Sequence, residues 1–170
     1  MPLIGPGRRA GKKLAQPAPL KSRIKRDGLA KGDAAPKFEL PRVGGGTVSL
    51  AQFHDSKLLL VFSDPNCGPC DLLAPRLERL SRRTPDIKVL MISRGVPADT
   101  EQKIKEHSLT FPVVLQRKWE ISLRYAMFAT PMAYLIDEKG IIASFPAVGA
   151  EAVLTLLRTA AITSLLEDRE

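Results

Sequence analysis

Residues 57–63, KLLLVFS, are an unbroken apolar run of strand length that stops directly before DPNCGPC at 64–70. A half-exposed strand alternates apolar and polar residues, so a continuous run is expected for a strand covered on both faces. The next segment, CDLLAPRLERLSRR, sets Leu72, Leu73, Leu77 and Leu80 on one helical face, with Arg and Glu largely on the other. A doubly covered strand leading straight into an amphipathic helix commits the chain to a layered α/β architecture. The turn between them holds both cysteines of the chain, Cys67 and Cys70, separated by two residues.

The flanking pattern agrees with this reading. Upstream, KFEL and GTVSL on either side of PRVGGG predict a short hairpin, because Gly44 to Gly46 supply turn conformations between alternating apolar residues. Downstream, IKVLMIS reads as a strand and PADTEQKIKEHS as an exposed helix, with Pro97 and Asp99 as start signals and Glu101 spaced to pair with Lys105. FPVVL is a short strand and KWEISLRYAM a helix, on which Trp119 and Tyr125 read as packing residues as readily as a docking surface. MAYLID turning through EKG into IIASF predicts a hairpin, and a last helix runs from about Glu151 to Leu166. Arg158 interrupts that helix, and its length falls short of the ~20 apolar residues of a membrane span, so it is expected to dock on the core. The alternation predicts a central mixed sheet with helices on both faces and an additional N-terminal hairpin.

Charge divides the chain unevenly. Residues 1–37 hold ten Lys and Arg against two acids, Asp27 and Asp33, which accounts for the whole formal net charge of +8. The remaining residues balance at 16 basic and 16 acidic groups. The first 37 residues also lack any aromatic and contain five prolines, so little apolar surface offsets the entropy of ordering them. The sequence therefore predicts a disordered basic tail over 1–37 and a domain over 38–170. Such a tail suits an anionic membrane surface better than nucleic acid, since it has no aromatics on which bases could stack. The basic region precedes no apolar stretch of signal-peptide type. As written, the chain is expected to stay in the compartment where it is made; an anchor preceding this start would place it at a membrane or in the periplasm.

Two cysteines cannot build the disulfide framework of a small secreted scaffold, and they supply half of a zinc site. His54 and His107, far apart in sequence, read as surface or loop residues, so no metal or organic cofactor is expected. At the start of a helix, unsatisfied N–H groups and the dipole favour an anion, which raises the thiolate fraction of a cysteine placed there. A second cysteine one turn on can close a small disulfide ring. Such a ring constrains the unfolded chain little, which argues for redox chemistry over a structural staple.

CGPC, Pro75 eight residues after Cys67, and ATPMAYLID together resemble the thioredoxin-like superfamily. KGDAAPKFELPRVGGGTVSLAQF resembles the extra hairpin of its TlpA/ResA-type branch, found also in peroxiredoxin-like redoxins and in the MauD type, and the likeness spans about residues 29 to 160. The resemblance implies a thioredoxin-like fold and a thiol–disulfide oxidoreductase acting on protein disulfides as a monomer. It assigns Cys67 as the exposed nucleophile, Cys70 as the buried resolving thiol, Asn66, Gly68 and Pro69 as the active-site loop, and Thr130 with a cis Pro131 as the wall on which an extended peptide docks. It also implies an electron donor, a flavin-dependent thioredoxin reductase or a membrane thiol carrier. The Gly-Pro pair between the cysteines leans toward the reducing end of the family.

The chain departs from that pattern in two places. The buried acid that thioredoxins carry six residues before the first cysteine is Val61 here, and the aromatic residue before the motif is Asn66. Asp64 is the nearest carboxylate in sequence, a candidate for proton transfer that reads more readily as a turn or helix-capping residue before proline. Two other classes stay open: a peroxiredoxin-like thiol peroxidase, whose family places Thr or Ser where Asp64 stands, and a non-catalytic adaptor.

Overall fold

The structure, a computed structural model, describes residues 28–170. Glu39–Pro41 (β1) and Thr47–Ser49 (β2) form the expected antiparallel hairpin, with Leu40 opposite Val48, and a 3-10 turn, Leu50–Phe53, follows it. The larger sheet contains Lys57–Ser63 (β3), Ile87–Ser93 (β4), Val113–Leu115 (β5), Met132–Ile136 (β6) and Ala147–Val148 (β7), in the order β5-β4-β3-β6-β7. β4 runs parallel to β3 and to β5, whereas β6 is antiparallel to β3 and β7. The helices are Gly68–Arg83 (α1), Pro97–His107 (α2), Glu120–Arg124 (α3) and Ala150–Glu167 (α4).

Because successive strand residues point to opposite faces, β3 feeds two cores. Leu58, Leu60 and Phe62 pack with Ile121, Tyr125 and the hairpin residues Leu40 and Val48. Leu59 and Val61 pack on the other face with Leu73 and Leu77 of α1 and Val153, Leu154 and Leu157 of α4. All of β3 after Lys57 is buried, as its unbroken apolar run requires. The hairpin also guards an edge: the Val43 N–H donates to the Val113 carbonyl at 2.9 Å, so β5 does not present a free row of donors and acceptors there. No helix among the described residues is long and apolar enough to cross a membrane.

Three sequence expectations change. Leu72, expected on the buried face of α1, is 69% exposed; Leu73 and Leu77 alone set the fully buried row, with Leu80 partly covered. Glu78, expected on the polar face, is buried. The strand expected over IIASF is replaced by β7 at 147–148, because Ile141 and Ile142 are bridged to Ala34 and Ile136 only singly, and the chain then swings out so that Phe145 is exposed.

The expected tail over 1–37 falls largely outside the described residues. Residues 28–37, however, lie against the domain. The N–H groups of Gly32 and Ala35 donate to the carbonyls of Ile142 and Gly140, and Ala35 is buried. The Leu29 N–H donates to the Tyr134 hydroxyl, which itself donates to the Tyr125 carbonyl. Packed chain therefore begins before Phe38, secured by backbone bonds that composition does not reveal.

Candidate active site

The site sits where β3 ends. Asp64 forms a turn there, its Oδ1 accepting the N–H of Asn66 at 2.9 Å, which aims the chain into α1 with Cys67 as the N-cap residue. Gly68 and Pro69 open the helix; proline is tolerated in this first turn because its missing N–H would have had no intrahelical partner. Within α1, Pro75 has no N–H to give to the carbonyl of Asp71.

The sulfurs of Cys67 and Cys70 are joined in a disulfide, with Cα atoms 5.2 Å apart. Their surroundings differ. Cys67 is half-buried beside exposed Asn66, Gly68 and Pro69, and its Sγ accepts the backbone N–H of Cys70 at 3.2 Å. Cys70 is 3% exposed and points beneath the helix start. The Cys70 N–H in the first turn of α1 thus faces the sulfur of Cys67, where a thiolate would gain from it and from the helix dipole.

Thr130 and Pro131, 63 residues beyond Cys67 in sequence, come back to the same place: the Thr130 carbonyl oxygen is 3.5 Å from Cys67 Sγ, and the Thr130–Pro131 peptide is cis. Pro131 is buried, and its carbonyl accepts the N–H of Gly149, the residue that leads into α4. The expected site residues Asn66, Cys67, Gly68, Pro69, Cys70, Thr130 and Pro131 therefore come together at one end of the sheet, with Cys70 and Pro131 buried there.

Asp64 lies at that end too, with both oxygens engaged. Its Oδ2 accepts from Arg94 at 2.8 Å, and the Arg94 guanidinium stacks 3.7 Å from the centre of the Trp119 ring. The Arg94 N–H also donates to the Ser63 carbonyl, so one residue ties the loop after β3 to the loop after β4. Gly95 follows, and a Cβ there would stand 2.1 Å from Cγ of Pro65, so this loop can lie against the DPNC turn only with glycine at 95. Tyr125 is wholly buried among Phe38, Phe62 and Tyr134 and is a core residue, whereas Trp119 remains partly accessible.

His107, read from sequence as a surface or loop residue, is placed differently. Its side chain is 12% exposed and its Nε2 lies 2.8 Å from Oδ1 of Asp71, in the first turn of α1. Lys103 donates to the same oxygen at 2.8 Å and reaches Glu106 at 3.3 Å. The hydrogen bonds from Lys103 and then His107 hold the Asp71 carboxyl below its usual range, and the same contact raises Lys103. Asp71, Glu106 and His107 bring one potential metal ligand each within 4.8 Å of one another, but the Lys103 ammonium bridges the two carboxylates, making this an ion-pair network. Asp71, Lys103 and His107 line a small cavity of about 30 Å³, together with Cys70, Asp64, Ser63, Ser93 and Thr100. Sequence spacing hides this cluster, because Asp71 and His107 are 36 residues apart.

A model of the AhpC/TSA family matches residues 31–145, a span that takes in both cysteines and Pro131. The chain is 32% identical over 143 residues to methylamine utilization protein MauD of Paracoccus denitrificans, covering 82% of this chain and 70% of that protein. It is 28% identical over 115 residues to thiol-disulfide oxidoreductase ResA of Geobacillus kaustophilus, covering 66% of each. Its fold is similar to the thioredoxin domain of a thiol-disulfide oxidoreductase from Bacteroides vulgatus, with a TM-score of 0.70 and 21% identity, covering 78% of this chain and 99% of that one.

Proposed function

The chain belongs to the AhpC/TSA family, as a thiol–disulfide oxidoreductase of thioredoxin-like fold, and on that basis we propose that it is a protein-disulfide reductase working through the Cys67–Cys70 couple. The observation that carries this reading is the asymmetry of the pair: one sulfur at a helix N-terminus on the surface, the other buried one turn behind it.

In the reduced protein, the Cys67 thiolate attacks one sulfur of a substrate disulfide. A Cys67–substrate disulfide forms, and the other substrate sulfur leaves as a thiolate that takes a proton from solvent. Cys70 then loses its proton and attacks Cys67 Sγ. The Cys67–Cys70 bond forms, the mixed disulfide breaks, and the second substrate thiol departs. Two electrons pass from protein to substrate, and an electron donor, a flavin-dependent thioredoxin reductase or a membrane thiol carrier, returns them. Thr130 and Pro131 form the wall along which the substrate chain lies, the Thr130 carbonyl accepting a substrate N–H beside the reacting sulfur. Nothing in this cycle calls on a metal or an organic cofactor.

Peroxide chemistry fits less well, because the residue three before Cys67 is a carboxylate locked to Arg94 rather than a hydroxyl free to bind peroxide. The test is the reduction potential of the pair, measured by equilibration in glutathione and dithiothreitol buffers. A value near about −270 mV or lower supports a reductase; one near about −120 mV makes the protein an oxidant and overturns the proposed direction. Cys67→Ser is expected to abolish protein-disulfide reduction, and Cys70→Ser to accumulate mixed disulfides. Turnover by Cys67→Ser would contradict the mechanism.

A further inference from the structure

Resolution of the mixed disulfide poses a problem that the first attack does not. Cys67 has the Cys70 N–H and the N-terminal dipole of α1 to stabilise its thiolate, whereas Cys70 is buried, and burial disfavours the charged form of a thiol. Cys70 therefore needs a group to take its proton. Val61 on β3 is fully buried among Leu59, Leu73 and Leu77 and has no such chemistry.

The cavity beneath Cys70 narrows the choice. Its volume of about 30 Å³ has room for a water molecule or two. Four titratable side chains line it besides Cys70: Asp64, Asp71, Lys103 and His107. Asp64 has one oxygen on the Asn66 N–H and the other on Arg94. Lys103 is a cation held between Asp71 and Glu106 and has no lone pair to offer. Asp71 accepts from both Lys103 and His107, which makes it a weak base. His107 is different: its imidazole can take up a proton, and with Nε2 turned to Asp71 the other ring nitrogen carries the lone pair. Ser93 and Thr100, which share a 3.0 Å hydrogen bond, complete the polar wall.

We propose that His107, oriented by Asp71, accepts the proton of Cys70 through the cavity during resolution and returns it when the disulfide is reduced again. The inference rests on the exchange reaction proposed above. The S–H bond of Cys70 breaks, its proton passes by way of a cavity water to the imidazole, and a His107 imidazolium paired with the Asp71 carboxylate results. The electron pair left on Cys70 Sγ forms the bond to Cys67. The charged groups around His107 are Asp71 from α1, Lys103 and Glu106 from α2, and the Asp64–Arg94 pair from the two loops. Asp71 and Glu106 carry two negative charges against the single positive charge of Lys103, so a protonated His107 brings the cluster to neutrality.

The test uses the reduced full-length protein and 5,5′-dithiobis(2-nitrobenzoate), followed by absorbance in stopped flow between pH 6 and pH 9. The first thionitrobenzoate released reports attack by Cys67, and the second reports resolution by Cys70. In the unaltered protein the second phase is expected to stay fast at pH 7, without the steep rise with pH that ionisation of an unassisted thiol gives. In His107→Gln it is expected to slow by about a hundredfold at pH 7 and to follow the thiol's own ionisation at higher pH, with the first phase changed by less than about twofold. Asp71→Asn keeps the size of its side chain and a hydrogen-bonding group beside the ring, and is expected to slow the second phase by about tenfold. If both variants resolve at the unaltered rate and pH profile, the proposal is overturned. It is also overturned if both phases fall together, since that marks general distortion of the helix start, or if Asp64→Asn slows resolution where His107→Gln does not. Absence of any second release from the unaltered protein would instead sink the exchange mechanism itself.

Discussion

Removing the charge of Glu78 probes how the helix that carries both cysteines is anchored. Glu78 lies mid-way along α1 and is 5% exposed, yet its carboxylate is fully used. It accepts the Thr110 N–H at 2.9 Å, the Thr110 hydroxyl at 2.7 Å and Nε of Arg82 at 2.7 Å. Burial alone would raise this carboxyl; the two bonds from Thr110 and the pairing with Arg82 outweigh it, so its pKa is lowered. In Glu78→Gln one oxygen remains to accept, and an amide NH₂ meets donors where the second oxygen stood. Hydrogen bonds to a charged group contribute about 1.5–3 kcal/mol, and a donor left unsatisfied costs about 1–3 kcal/mol. Because Arg82 is mostly exposed and can turn to water, a net loss of about 2–3 kcal/mol is expected, or a fall in Tm of roughly 4–12 °C for a domain of this size. A lowered carboxyl pKa stabilises the fold fully above the unfolded-state pKa, and that contribution is lost as pH falls through the folded-state value. The gap between the unaltered protein and Glu78→Gln should therefore be complete at pH 7, begin to close near pH 4 to 5 and shrink further below it. Urea unfolding of the oxidised protein at pH 7 and at low pH measures both. A gap under about 0.5 kcal/mol at pH 7, or one that does not change with acid, would falsify the assignment.

Two further perturbations follow from the packing. Leu77→Ala empties a fully buried site between α1, β3 and α4 and is expected to cost about 2–5 kcal/mol by urea unfolding, with the reduction potential of the cysteine pair little changed. Gly95→Ala drives a Cβ into Pro65 in the turn that leads to Cys67; it is expected to slow the first attack on a small disulfide reagent by more than it lowers stability, and equal attack rates would show that the turn yields without consequence.

The sequence made the central layer legible because burial on both faces leaves a mark that needs no partner to be read. KLLLVFS and IKVLMIS have the length and the apolar run of doubly covered strands, and Cys67 opens α1 because the strand stops at a turn residue, Asp64, and a helical row begins at Leu73. What escaped was set by partners distant in the chain. Leu72 differs from Leu73 by one position and thus by about 100° around the helix, enough to take it from the core to solvent. Glu78 looked like a polar-face residue because its ligand, Thr110, is 32 residues away. Ile141 and Ile142 carry strand-like side chains, but the backbone that Ile142 bonds belongs largely to residues 32 and 33, in a stretch whose composition resembles a tail.

Two aspartates flank the cysteine pair, and their neighbours give them opposite tasks. Asp64 is the nearer in sequence to Cys67, and its carboxylate is consumed in holding the turn: one oxygen on the following backbone, the other on Arg94, which is itself held over Trp119. Asp71 is in the first turn of α1, where a bare carboxylate would be favoured by the helix dipole and would compete with the Cys67 thiolate for it. Lys103 and His107 of α2 remove that conflict by drawing the charge of Asp71 sideways into a network of its own. The helix N-terminus is left to serve Cys67, and the proton chemistry moves beneath it, to the side on which Cys70 is buried. A chain with valine at position 61 can thus keep an apolar strand under its cysteines and still provide a base, because the base enters from the neighbouring helix rather than from the sheet.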